Sequence, residues 1–331
     1  MTATITPKVT IIMPVYNAEK YIERSLRSLF EQTFEDIEYI IVNDCSQDNS
    51  LKIIKNIIDE YPPRNKQVKI INHPTNQGVA SARASGLNAA TGTYTIQIDS
   101  DDYCEATMIE ELYNEAVKNT ADIVMCDYYI NFPNKQIYRH LSVGTNKKEC
   151  MKKLLNGELM GFMWNKLIKN TLYTSNNLNF IKGRNMWEDV TLCIQLYFYA
   201  NKISYLPRAF YHYTQENGNS YIATMSLQSL KNIEENVADI ELFLEKHNVR
   251  KELASHILYL QLRAKKEYLQ NTQGIKQKKY NNYYKAANVA IWSHPYLPLH
   301  YKLALCFARH KMLFVSNMLF WGLKKIKKIL R

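Results

Sequence analysis

An α/β fold with a mostly parallel central sheet, followed by a helical extension, is what the 331-residue sequence predicts, on three observations. Over the first 130 or so residues, short runs rich in Val and Ile alternate with segments of helical periodicity, the mark of strand–helix–strand units covered on both faces. From about residue 222 onward only helical periodicity remains. The positive charge is also confined: residues 268–331 hold twelve Lys or Arg and no Asp or Glu, which leaves 30 basic against 31 acidic residues before them.

Residues 9–15 (VTIIMPV) read as a buried strand, and 18–33 as a helix with Ile22, Leu26, Leu29 and Phe30 on one face. A second strand covers 38–43, and a second helix, capped near Asp48, covers 48–60. Strand 68–72, the polar loop 73–78, helix 79–90, strand 94–99, helix 105–118 and strand 122–129 complete the alternation. Beyond it the reading gives a strand near 136–141, helices near 146–156 and 188–200, and separate strands near 202–206 and 209–214. Helices follow at 225–247, 250–270 and 276–292, with Pro295 and Pro298 interrupting the last part. The predicted division is a catalytic-type domain over 1–221 and a basic helical region over 222–331.

The six cysteines form no C-x-x-C pair and read as reduced thiols, and the first residues lack the apolar core of a signal peptide. The longest apolar run, near 312–323, is too short to span a bilayer. A cytoplasmic protein is the expectation. No G-x-G-x-x-G follows the first strand, which argues against a dinucleotide cofactor, and no G-x-x-x-x-G-K-[ST] is present, which argues against a P-loop NTPase.

The chemistry gathers at strand ends. The first strand ends Pro14-Val15-Tyr16-Asn17, the second ends at Asn43-Asp44-Cys45-Ser46, and the fourth ends Asp99-Ser100-Asp101-Asp102. In a parallel sheet such tips lie side by side along one crevice. Clustered carboxylates there suit Mg²⁺ or Mn²⁺ carrying substrate phosphates, although Asp-x-Asp taken alone reads better as a solvated turn before a helix.

The ordered set Pro-Val-Tyr-Asn, Val-Asn-Asp-Cys-Ser-Gln-Asp-Asn-Ser, Asn-Gln-Gly-Val-Ala-x-Ala-Arg-x-x-Gly and Asp-Ser-Asp-Asp resembles the family 2 glycosyltransferases of the GT-A fold, with its Rossmann-like sheet. Bacterial enzymes that build surface polysaccharide are especially similar. The likeness continues through Trp164-Asn-Lys-Leu, Trp187-Glu-Asp, Tyr211-His-Tyr and Asn219-Ser220, over roughly residues 8–221.

The resemblance implies roles. Pro14, Val15, Tyr16, Asn17, Asp44, Arg83, Asp99 and Ser100 form the nucleotide-sugar site, with Asp44 bonding a uracil N–H, Asp99 at the ribose, and Arg83 near the diphosphate or bracing the Asp99–Asp101 turn. Asp101 holds the divalent metal, Mn²⁺ or Mg²⁺, with His212 as a further candidate; a core residue is the alternative for His212. Asp189 is the base that deprotonates the acceptor, and Glu188 supports it or contacts the acceptor. Trp164 and Lys166 are acceptor-side or diphosphate contacts, although a mid-chain Trp is more often packing. Asp102 is left as a helix-start residue. Many relatives have Gly where this chain has Cys45, so the turn there need not adopt positive φ.

The implied activity is metal-dependent, inverting, non-processive transfer of one sugar from a nucleotide-sugar, UDP-linked by expectation, to a lipid-linked saccharide. No Q-x-x-R-W follows the Glu-Asp pair, which argues against a processive synthase. A nucleotidyltransferase would need a Gly- and Arg/Lys-rich loop after the first strand, and Asn17-Ala-Glu-Lys does not supply one. In the tail, Leu319, Leu323, Ile326 and Leu330 share one helical face beside Lys324, Lys325, Lys327, Lys328 and Arg331. That pattern suits a helix lying on an anionic membrane surface, and places the protein peripherally on the inner face of the cytoplasmic membrane. No nucleic acid is expected as a partner.

Overall fold

The structure, a computed structural model, describes residues 6–215 and 225–329, with the side chains of the last helix described through Phe320. The chain divides into two compact units, one of Met1–Glu149 and Gly161–Ala223, the other of Cys150–Met160 and Thr224–Arg331. The short segment Cys150–Met160 thus belongs with the C-terminal helices, an excursion that a single cut in the chain does not describe.

In the first unit the elements run β1 (Val9–Val15), α1 (Ile22–Phe30), β2 (Ile37–Asn43), α2 (Ser50–Glu60), α3 (Pro62–Asn65), β3 (Val68–Asn72), α4 (Val79–Ala89), β4 (Tyr94–Gln97), β5 (Tyr103–Cys104), α5 (Met108–Asn119), β6 (Ile123–Phe132) and β7 (Lys135–Arg139). After α6 (Lys147–Asn156), which crosses into the second unit, come β8 (Lys166–Lys169), α7 (Asn170–Asn176), α8 (Glu188–Tyr199) and β9 (Ile203–Thr214). β1 is buried along its whole length, as its unbroken apolar run requires of a strand covered on both faces. β3 alternates exposed and half-buried residues, which suits its place at one edge of the sheet.

The sheet is mixed. β3-β2-β1-β4 is parallel, as the alternation predicts, and β8-β6-β9-β5 extends it with mainly antiparallel pairings; β7 pairs β6. β8 and β5 were not expected, because four- and two-residue strands carry too little periodicity to be seen. The two strands expected at 202–206 and 209–214 are one. Pro207, which reads as a break, is absorbed by a bulge where Cys126 faces Leu206 and Asp127 faces Ala209. Asp127, fully buried beside the bulge, accepts from Tyr138 Oη, Tyr205 Oη, His140 Nδ1 and Leu141 N, so the interruption leaves no orphaned charge.

The first helix is shorter than its periodicity. Its expected first turn is used by the loop before α2 instead: Ala18 N donates to Ser50 Oγ (2.8 Å) and Glu19 N to Asp48 Oδ2 (3.0 Å). Asp48 Oδ1 takes Ser50 N (3.0 Å), satisfying a free amide at the start of α2. α4 lies directly on the sheet because Gly86 lacks a side chain. A Cβ there would come within 2.2 Å of Ile12 Cγ2.

The second unit contains α9 (Leu227–Lys246), α10 (Ala254–Asn271), α11 (Gly274–Asn281), a 3₁₀ helix (Lys285–Ala290), α12 (Leu299–Arg309) and α13 (Leu313–Ile329). The single helix expected over 276–292 is broken at Tyr284, which takes φ +50°. Arg263 on α10 donates to Leu154 O and Leu155 O, and His256 Nδ1 meets Asn156 Oδ1 (2.7 Å), which fastens the end of α6. Leu262, Ala304, Leu305, Ala308 and Phe320 share one apolar cluster. Phe320 and Ser316 are buried, so the start of α13 packs on its own unit. Leu319, the first residue of the expected membrane face, is half-buried against this cluster, whereas Leu323 to Arg331 lie outside the described side chains and segment 216–224, with Asn219-Ser220, lies outside the described residues. Among the described residues no helix is long and apolar enough to cross a membrane.

Replacing Gly86 by Ala must displace Ile12 or lift α4. The expected result is a destabilisation of about 1–3 kcal/mol, read as a lowered denaturation midpoint with an unchanged m-value.

Candidate active site

The parallel register sets β1, β2 and β4 side by side, so their carboxyl ends converge. Val15 pairs Asn43, and Asp44 N donates to Val15 O (2.8 Å). Pro14 and Val15 are buried in the strand, whereas Tyr16 and Asn17 emerge into solvent, Asn17 in a left-handed conformation (φ +48°). Asn17 Oδ1 accepts from Gln47 N (2.8 Å), which ties the two strand tips together. Cys45 corrects one expectation. It adopts φ +64° although it is not glycine, so the turn retains the left-handed geometry and the substitution leaves strain in place.

Asp44 is buried and already engaged. Oδ1 meets His73 Nδ1 (2.7 Å) and accepts from Gln77 N (2.9 Å), and Oδ2 accepts from Gly78 N (2.8 Å). Its first task is therefore to shape the loop before α4. A carboxylate has about four acceptor positions, which leaves room for one further donor. His73, unremarked in the sequence, follows directly from the register: Asn43 pairs Asn72, so the next residues on the two strands meet. Gly78 takes φ +85°, and a Cβ on it would strike the Asn185 side chain, whose Oδ1 accepts from Ala80 N (3.0 Å).

Arg83, on α4 and 8% exposed, joins two motifs that are 89 residues apart in sequence. Nη2 bonds Asp99 Oδ1 and Nη1 bonds Glu188 Oε1, both at 2.8 Å. Its buried Nε has no hydrogen-bond partner among the described residues. Removing one partner of a buried ion pair costs about 3–5 kcal/mol, so the guanidinium is structural as well as electrostatic. Glu188 opens α8 after Trp187, which takes φ +65°, and is itself buried. Asp189 is half-buried; one of its oxygens accepts from Val190 N (2.7 Å), and a Cβ added to Gly161 would come within 3.1 Å of its carboxyl carbon.

The cluster is short of positive charge. Arg83 feels the carboxylates of Asp99, Glu188 and Asp189 together. Burial, then Asp189, pushes Glu188 up to about 7 against the pull of Arg83. Burial, then the charge of Asp99, pushes Asp101 up to about 6. Carboxyls held this high are where a cation would bind with the greatest gain, which is the donor chemistry that Mn²⁺ or Mg²⁺ requires. Among the described residues no group of three or more His, Cys, Asp or Glu is arranged to hold a metal alone.

The remaining expected residues divide. Ser100 is half-buried in the Asp99–Asp102 turn. Asp102 does not start a helix, since α5 begins at Met108. It is 1% exposed and takes Tyr211 Oη (2.7 Å) and Thr214 N (2.7 Å), which pins the turn to the end of β9. Burial, then Asp101 and Asp99, raises its carboxyl well above the usual range. Tyr211 Oη also accepts from Asp99 N (3.3 Å). Behind it Trp164 stacks on the Tyr211 ring (4.2 Å, 8°) and on Phe162 (4.7 Å), fully inside the core. Trp164 thus supports the turn from within the core. Lys166 is equally enclosed at 0% exposure, its Nζ bonded to Phe162 O and Asn165 Oδ1. His212 faces away from the turn because Tyr211, its neighbour on the strand, faces toward it. Its Nε2 meets Glu105 (2.8 Å), Nδ1 meets Asn131 (3.1 Å), and its ring stacks between Tyr103 and Tyr129. Both ring nitrogens are hydrogen-bonded within the protein. Arg24, also missed in the sequence, bonds Thr214 Oγ1 (3.1 Å) and lies over the Tyr103 ring (4.6 Å).

A model of one protein family, Glycosyl transferase family 2, matches residues 10–175. The chain belongs to this family. The family 2 chain is 34% identical over 215 residues to the putative glycosyltransferase EpsH of Bacillus subtilis, which covers 63% of this chain and 61% of that one. It is 31% identical over 226 residues to the cholesterol galactosyltransferase of Borreliella burgdorferi (64% and 61% covered). The matches thus span about six-tenths of these relatives. The fold is that of S. aureus TarS 1–349, with a TM-score of 0.68 at 19% identity over 96% of this chain and 91% of that chain.

The raised carboxyls set a pH signature. Glu188 ionises near 4.5 when unfolded and near 7 when folded, so the folded state retains a proton that the unfolded state has lost. Stability should therefore fall as pH rises from about 4.5 to about 7. Glu188→Gln should flatten that slope, measured by denaturant melts without added metal.

Proposed function

We propose that this family 2 protein is a metal-dependent, inverting, non-processive glycosyltransferase that moves one sugar from a UDP-linked donor to a lipid-linked saccharide in cell-surface polysaccharide synthesis. The observation that carries the reading is the Arg83 bridge, because it brings the Asp99–Asp102 turn and the Glu188–Asp189 pair to the two ends of one guanidinium. One carboxyl set would then face the nucleotide diphosphate and the other the acceptor.

The donor would lie across the tips of β1, β2 and β4. Tyr16 offers an exposed ring for the base, Asp44 its one remaining acceptor position for a base N–H, and Asp99 a carboxylate for the ribose. Asp101 would hold the Mn²⁺ or Mg²⁺, whose contribution when bound is to neutralise the leaving diphosphate. The acceptor oxygen attacks C1 of the sugar, the bond from C1 to the phosphate oxygen breaks, and the acceptor proton passes to Asp189. Asp189 suits this role better than Glu188: it is the more exposed of the two, and Glu188 is bound by Arg83. Attack opposite the leaving group inverts the anomeric carbon. Support for the donor class comes from a TarS complex with UDP-GlcNAc, and for the metal from a Pyrobaculum calidifontis mannosyltransferase complex with GDP-Man and Mn²⁺. The relative named for cholesterol supports a lipidic acceptor. Association with the cytoplasmic membrane face through the basic end of the chain completes the reading.

A panel of sugar nucleotides with Mn²⁺, scored by thermal shift and slow donor hydrolysis, tests the class. One donor should give saturable stabilisation that EDTA abolishes. Asp189→Asn should lower kcat by roughly 10²–10⁴-fold with the donor shift intact, and Asp101→Ala should lose the metal-dependent shift. Full turnover in Asp189→Asn would exclude Asp189 as the base.

A further inference from the structure

The second unit displays large apolar side chains that its own core does not use. In the connection between the 3₁₀ helix and α12, Trp292 is 56%, Tyr296 49% and Leu299 64% exposed, and Val289 beside them is 73% exposed. The connection is held rather than loose. Lys302 Nζ donates to Trp292 O (3.0 Å), Tyr259 Oη donates to Ser293 O (3.1 Å), and His294 and Leu297 are buried beneath it. Rings and an isobutyl group are thus fixed outward, where water makes their exposure unfavourable.

The surroundings are cationic. Residues 268–331 contain no acid. α13 runs back along α12, since Phe320 meets Tyr301 (5.9 Å) near the start of α12. Lys302, in the first turn of α12, donates its ammonium to the connection itself, and Lys285 opens the 3₁₀ helix that precedes it. Glu158 reaches the Tyr296 hydroxyl but is itself paired with Lys153 (3.3 Å).

We infer that residues 289–299 form a membrane-insertion loop, with Trp292 and Leu299 entering the headgroup–acyl boundary of an anionic bilayer while Lys285 and Lys302 face its phosphates. Trp and Tyr favour that depth, and apolar insertion with cationic attraction is the physics of interfacial binding. Among occupants of this surface, a second copy of the chain would bring the same positive charge against itself. This inference deepens the lipid-linked acceptor reading and rests on it for purpose, but not for its test.

The experiment is flotation of the full chain with vesicles of phosphatidylglycerol and phosphatidylcholine in equal parts, against phosphatidylcholine alone. Binding should require the anionic lipid, and Trp292→Ser/Leu299→Ser should weaken it roughly tenfold or more. Both side chains are exposed, so the melting temperature and the sugar-nucleotide shift should stay at wild-type values. If the double variant melts early, Trp292→Phe takes its place: brominated lipid should quench the wild-type Trp fluorescence, and should quench this variant less. Wild-type flotation by the double variant, no flotation of the wild-type chain, or a dimer that the double variant dissolves would each overturn the inference. Donor binding measured on the same samples separates such a failure from failure of the glycosyltransferase reading.

Discussion

A single buried guanidinium organises the candidate site. Arg83 projects from α4, which Gly86 lets settle onto β1, and its two terminal nitrogens take carboxylates from the end of β4 and the start of α8. The bridge also explains the titration of the cluster: one positive charge serves several carboxyls, so burial keeps Glu188 and Asp101 unusually protonatable.

The turn that carries Asp101 is held from behind with equal care. Asp102 captures the Tyr211 hydroxyl and the Thr214 amide, the Tyr211 ring lies flat on Trp164, and Arg24 reaches Thr214 from α1. Residues that look chemically active in the sequence, Trp164, Lys166 and His212, turn out to build this support and the core around it. The polar groups of Lys166 and His212 are satisfied within the protein, which is how a low-dielectric interior tolerates them. An indole, an ammonium or an imidazole in a sequence does not say whether it meets substrate or backbone, because both uses need the same hydrogen-bonding chemistry.

Much of the fold was legible because it is built on long periodic segments. β1, β2 and the helices between them follow directly from apolar runs and 3.6-residue spacing. The short strands β5 and β8 were not legible, nor was the union of two strands across Pro207, since pairing partners rather than local preference create them. The left-handed Cys45 belongs with these, as its conformation is imposed by the tips it connects.

The parallel half of the sheet, the carboxylates at its strand ends, the family resemblance and the concentration of positive charge after residue 267 can all be read along the linear chain. These are properties of composition, order and local periodicity. Only the tertiary structure decided that Asp102 is a buried clasp, that His212 faces away, that Asp44 already holds three donors, and that Arg83 spans two motifs. Each of these depends on which residues distant in the chain become neighbours, and long-range pairing is the information that a linear pattern of propensities does not contain.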